Sequence, residues 1–215
     1  VSCVPVDQPF SALPPSFGRD WQSSNTRSAF VMNAKVEISK QSIPFYAAPD
    51  ALNAYTSALN VAVQIRTLIN QITKSAIQVK GCAVDSGIDP TVFSELENIT
   101  SIGKLLVDSQ ISTYEIECNR HQDYKKQYKE YDAGDLFDAF SLAYENTAWL
   151  QTLFCQAINE SERAKAICEQ SIHSATFSDL ERLIHITEYV LDIHTNTFNV
   201  EREKYEIEWE ATKNA

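Results

Sequence analysis

The groups able to hold a metal or move a proton in this 215-residue sequence are four histidines, 29 carboxylates and five cysteines. A carboxylate-bridged metal pair in a helical protein needs Glu-x-x-His on two helices and inward Glu on the others. The histidines are His121, His173, His185 and His194, and none completes a Glu-x-x-His. Glu181 with His185, and Glu188 with Asp192, share a helix face at four-residue spacing, but no matching set stands elsewhere. Cys118 and His121 are three apart on one face, poorly placed for passing a thiol proton, and no third group orients the imidazole. The cysteines show no C-x-x-C spacing. Gly-x-Ser-x-Gly and phosphate-cradling loops are absent, and five glycines leave little to build them from. The expectation is therefore no catalytic residue, no cofactor and no metal. An enzyme with an unrecognised site is the alternative this leaves.

A net charge of −11 offers no basic excess for a nucleic-acid phosphate surface. It also opposes charge-driven docking on anionic membranes. No apolar run reaches the roughly 18 residues that cross a bilayer. With 44% hydrophobic and 22% charged residues, the composition is that of a globular chain, and scarce glycine favours helices.

What must position any site is a set of long helices. From Leu136, the residues Phe140, Ala143, Thr147, Leu150, Phe154, Ala157, Ser161, Ala164, Cys168 and Ile172 recur at alternating steps of four and three. That spacing keeps one seam on one side of a helix that coils gently around neighbours. With Asp135 as N-cap after Gly134, it reads as one helix over 135–172, about 55 Å long. A second seam (Ala58, Val61, Ile65, Leu68, Ile72, Val79) predicts a helix over 50–80, with Gly81 as the residue closing it. Asp89-Pro90 opens a third over 90–132, N-cap followed by proline at the first helical position. Ser178 and Glu181 make a capping box for a fourth over 178–212, where Phe177 would staple the entry. This last helix carries two apolar lines. One is Leu180, Leu183, Ile184, Thr187, Leu191, His194, Phe198, Tyr205 and Trp209. The other is Ile186, Ile193, Val200 and Ile207, spaced by sevens; around Leu183–Ile193 the helix is apolar almost all round, so there it should be covered on more than one side.

Short joints force neighbouring helices to alternate in direction. The expected fold is all-α: an elongated, antiparallel, up-down four-helix bundle over 50–215, with no internal repeat. Residues 1–49 form an extended, Pro-rich arm, since Pro5, Pro9, Pro14, Pro15, Pro44 and Pro49 all fall there. Phe10, Phe17 and Trp21 are too apolar for a free tail, so the arm packs on the bundle or on a neighbouring subunit. Tyr124, Tyr128 and Tyr131 form one stripe near the end of the 90–132 helix, a candidate contact surface.

These features point to a secreted or cell-surface, non-enzymatic helical bundle acting through protein–protein contact, with a protein partner or sister subunits. The sequence starts Val1-Ser2-Cys3, without an initiator Met, which reads as a processed secretory N-terminus. The alternative class is a carrier of a small hydrophobic ligand, oriented in the core by Thr147, Ser161, Thr187 and His194. In an oxidising compartment the cysteines should pair. Matching heights along alternating helices gives Cys82–Cys168 and Cys118–Cys155, with Cys3 left over; buried thiols are the reduced alternative. Asn98-Ile-Thr100 and Asn159-Glu-Ser161 are glycosylation sequons. Each asparagine is two residues from its seam, about 200° round the helix, and so faces outward. Protein produced in a eukaryotic secretory host should lose mass on glycosidase treatment. An unchanged mass would remove it from that compartment.

Overall fold

The computed structural model describes residues 45–124 and 130–214. The arm residues Phe10, Phe17 and Trp21, together with Cys3 and Tyr128, lie outside that set. The described chain is all-α apart from one two-stranded pairing. In order it comprises β1 (Tyr46–Ala47), α1 (Ala48–Asp85), a 3-10 turn (Pro90–Phe93), α2 (Ser94–Tyr124), β2 (Glu130–Tyr131), α3 (Ala133–Cys168), a second 3-10 turn (Ser174–Phe177) and α4 (Ser178–Lys213).

The helices begin and end where backbone groups find partners. At the start of α1, the Asp50 carboxylate accepts from the Ala47 N–H at 2.9 Å, and Pro49 sits where no N–H is needed. In α3 the arrangement is reciprocal. Asp132 is the N-cap and accepts from the Asp135 N–H, while Asp135 accepts from the Asp132 N–H, both at 3.1 Å. Asp135 is thus the third helical residue rather than the cap. Gly134 lies inside the first turn, where a Cβ would come within 3.0 Å of the Trp209 indole. The reading of 90–132 as one helix fails at its end, because Glu130–Tyr131 form a strand. The box of Ser178 with Glu181 is not used either. Helix α4 instead continues a 3-10 turn whose first N–H groups are met by His173, its Nδ1 accepting from Ala175 N–H at 3.1 Å.

Cross-helix contacts fix the directions. Lys80 meets Glu97 at 2.8 Å, and Thr56 meets Cys118 at 3.7 Å, so α1 and α2 run antiparallel. Lys165 meets Glu181 at 2.7 Å and Phe137 stacks on Trp209 at 5.7 Å, so α3 and α4 do too. Arg163 donates to the Val92 carbonyl and Gln110 to the Asn146 carbonyl, which sets α2 against α3. The core runs down the inner faces, through Ile65, Ile69, Ile72, Val107, Leu150, Phe154, Leu191 and Phe198.

The two hairpins, α1–α2 and α3–α4, are copies of one another, contrary to the reading of no internal repeat. Tyr46 pairs with Tyr131, 85 residues on, across the β1–β2 ladder. The same offset carries Asp50 to Asp135, Ala58 to Ala143, Ile65 to Leu150, Ile69 to Phe154 and Ala83 to Cys168. In the second helices the offset is 84: Phe93 to Phe177, Leu96 to Leu180, Glu97 to Glu181, Val107 to Leu191, Tyr114 to Phe198. Contacts repeat with the residues. Tyr55 stacks on His121 as Phe140 stacks on Tyr205, and the ion pair Lys80–Glu97 recurs as Lys165–Glu181. Residues that meet their own counterparts lie on a pseudo-twofold axis. Tyr46 and Tyr131 do so at one end, and Phe93 and Phe177, 6.3 Å apart, at the other.

The single residue by which the halves differ in spacing falls in the turn after α1. There Gly87 has φ 84°. Gly87 N–H donates to the Val84 carbonyl and Ile88 N–H to the Ala83 carbonyl, the two bonds of a Schellman close. Gly81, expected to end the helix, is inside it. A methyl at either glycine meets nothing within 4 Å, so only backbone conformation decides the effect. Gly81→Ala should therefore raise stability by about 0.5–1 kcal/mol. Gly87→Ala should lower it by about 1–2 kcal/mol. Thermal or denaturant unfolding of the two variants checks this, and the opposite signs would return the helix end to Gly81.

Candidate functional site

The residues singled out from sequence separate into three groups once placed. The first is buried structure. Tyr131, expected on a contact stripe, is 1% exposed and sits in the small core at the strand pair with Ala48, Leu136 and Tyr205. His121 Nδ1 lies 2.8 Å from its hydroxyl, while His121 Nε2 is 3.7 Å from Glu117. The imidazole is thus engaged on both sides and is not placed to take a proton from Cys118, whose sulfur faces Thr56. Tyr131 lies in β2, so it shares no helix face with Tyr124 of α2. A second buried cluster joins α2 to α3: Asn146 Nδ2 donates to the Tyr114 hydroxyl at 2.8 Å, and Gln110 Nε2 donates to the Asn146 carbonyl at 3.2 Å. Burial pushes the Tyr114 phenol up to about 12, so the hydroxyl stays protonated.

The second group is the cysteines. No disulfide joins any two of the described ones. The expected pairings Cys82–Cys168 and Cys118–Cys155 are not made. The Cys118 sulfur lies 3.7 Å from Thr56 on α1. The repeat makes Ala83, not Cys82, the counterpart of Cys168. Cys82 is one residue, about 100°, round the helix and is exposed, whereas Cys168 is buried and its thiol is shifted up by that burial.

The third group faces solvent. Asn98 on α2 and Asn159 on α3 are both exposed. Of the polar seam residues, Ser161 borders a hollow of about 20 Å³ with Ile158, Ile184 and His185. Thr147 donates to the Ala143 and Tyr144 carbonyls and Thr187 to the Leu183 carbonyl, each bonding its own helix. His194 is half-buried against Phe198. Two grooves between α1 and α4, of about 350 and 310 Å³, are open and lined by polar groups such as Lys74, Asp179 and Arg182 in one, and Asp50, Asn53 and Glu201 in the other. Among the described residues no group of three or more His, Cys, Asp or Glu is arranged to hold a metal, and no helix is long and apolar enough to cross a membrane.

What the arrangement does present is an uncovered apolar line. Ile186 and Ile193, in the stretch expected to be covered, are 43 and 42% exposed, and Val200 and Ile207 are 63 and 71% exposed. Tyr189 extends the line. The repeat places a related line on α2: Ile102 answers Ile186, Leu105 answers Tyr189 and Ile116 answers Val200, all exposed. The line on α2 is interrupted by Ser109 and Ser112, where α4 has Ile193 and Asn196. Sequence reading found the sevenfold spacing on α4 but missed its echo on α2, because only Ile102 and Ile186 are identical.

No family model, curated protein or solved structure matches the chain.

Partial burial moves His194 below its ordinary value, so the folded state favours the neutral ring. The unfolded chain, titrating near 6.5, then binds more protons between the two values. The contribution is full above about 6.5 and is lost as pH falls from there through the folded value. His194→Gln, which installs the residue found at the equivalent position, Gln110, should flatten the decline in melting temperature between about pH 7 and pH 5 relative to the parent. An unchanged slope would mean that His194 does not contribute.

Proposed function

We propose that this protein is a secreted, non-enzymatic bundle that works by protein–protein contact, and that its working surface is the outer face of α4. The observation that carries this reading is the uncovered line Ile186, Tyr189, Ile193, Val200 and Ile207. Single exposed apolar residues are ordinary on any soluble protein. A row in heptad register, repeated in part on the equivalent helix, is the pattern of an association face. The two exposed sequons are consistent with a secretory route. They also distinguish the faces: Asn98 lies one turn before Ile102, so a glycan there would stand over the α2 line and leave α4 open. The arm, through Phe10, Phe17 and Trp21, is a second candidate contact by its composition alone.

A photo-reactive residue at Ile193 tests the reading against one at Asp138, an exposed position on α3. Irradiation in the protein's native fluid should give a defined adduct, with a partner or a sister chain, from position 193 only, and Val200→Asp should abolish it. Equal labelling from both positions, or none, would overturn the reading. Lipid-like mass retained in native mass spectrometry would favour the carrier.

A further inference from the structure

Resting on that reading, we infer that the occupant of the α4 face is a basic amphipathic helix of another protein, laid parallel to α4 as a two-stranded coiled coil. The heptad positions are explicit. Ile186, Ile193, Val200 and Ile207 hold one seam position, conventionally a. Tyr189, Asn196, Glu203 and Glu210 hold the other, d, and all eight are exposed. β-Branched residues at every a position favour two parallel strands.

The charges choose the partner. Glu203 and Glu210 sit in the seam itself, and Asp192 and Glu206 flank it, all exposed. Among the described residues, the cations of this stretch leave Glu203 without one: Arg202 lies over the Tyr144 ring at 4.6 Å, Lys204 pairs with Glu201, and Lys213 makes an exposed ion pair with Glu210 at 3.0 Å, while Glu203 accepts only from the Asn199 amide at 2.7 Å. An exposed pair three residues apart on one helix screens Glu210 only weakly. The C-terminal half of the seam is therefore apolar at one position and acidic at the other. A second copy of this chain is a poor occupant. In a parallel pairing like positions meet, setting Glu203 on Glu203 and Glu210 on Glu210. In an antiparallel pairing a faces d, so each glutamate is set against an isoleucine and loses water without gaining a partner beyond Asn199 or Lys213 of its own helix. An anionic membrane is disfavoured by the same carboxylates. A helix with apolar residues facing the a positions and Lys or Arg facing Glu203 and Glu210 satisfies both.

The test uses a fluorescent four-heptad peptide with Ile at every a, Leu at its first two d positions and Lys at its last two, titrated by anisotropy against the whole chain. A control peptide carries Glu in place of the two Lys. The lysine peptide should bind at least tenfold more tightly than the control. Ile193→Asp should cost at least tenfold, and Glu203→Lys with Glu210→Lys should reverse the preference. All these positions are exposed, and circular dichroism confirms that each variant remains helical. Failure of the lysine peptide to bind, or equal binding of both peptides, overturns the basic partner. So does a dimer of the chain alone in sedimentation that Ile193→Asp dissociates. If either occurs while the Ile193 photo-adduct persists, the basic helix is wrong and the interaction reading stands.

Discussion

The structure depends on two contacts in which a residue meets its own counterpart. Tyr46 meets Tyr131 at one end of the pseudo-twofold axis, and Phe93 meets Phe177 at the other. A helical hairpin has one apolar side and cannot bury it alone. Two such hairpins solve the problem by covering each other, and the end contacts fix how they register. Between them, Tyr46 packs on Tyr205 as Tyr131 packs on His121. The phenol of Tyr46 donates to Glu208, and burial, with that carboxylate, raises its pKa, which keeps the donor protonated. Each half thus places the start of its first helix against the end of the other half's second helix.

Inner seams were legible because periodicity is a property of side chains alone. Leu136 through Cys168 and Leu180 through Tyr205 bury most of the residues their spacing marks, with Phe140, Leu183 and His194 half-buried. Ends were less legible because several residues can close a helix equally well on paper. Asp132 and Asp135 are both competent caps, and only the strand at Glu130–Tyr131 decides between them. Ser178 is a good cap that goes unused because His173 meets a free N–H one turn earlier. The repeat was hidden for a related reason. Beyond the run Ser94-Glu-Leu-Glu97, answered by Ser178-Asp-Leu-Glu181, the copies share burial pattern more than identity, and Gly87 shifts the offset between their first and second helices.

Where the copies differ, the difference has a physical reading. Between α2 and α3 the core is polar, with Gln110, Tyr114 and Asn146 bonded together. At the equivalent places of the other half stand His194, Phe198 and Val61, two of them apolar and the third a half-buried ring. Buried polar groups that satisfy one another restrict which helices can be neighbours more sharply than apolar contacts do. The asymmetric network can therefore distinguish the α2–α3 junction from the α1–α4 junction, which the apolar pattern alone treats alike.

The outer line on α4 stands apart, because the core cannot account for it. Leu180, Ile184, Thr187, Leu191, Thr195, Phe198 and Tyr205 already fill the inward face. An aliphatic side chain left in water forgoes roughly 25 cal/mol for each Å² it could bury, so three isoleucines and a valine in register represent stabilisation left unused among the described residues. Their spacing carries a further constraint. On a straight helix a strict sevenfold row drifts by about 20° per heptad, which amounts to about 60° from Ile186 to Ile207. A flat surface could touch only part of such a row, whereas a helix supercoiling with α4 follows all of it.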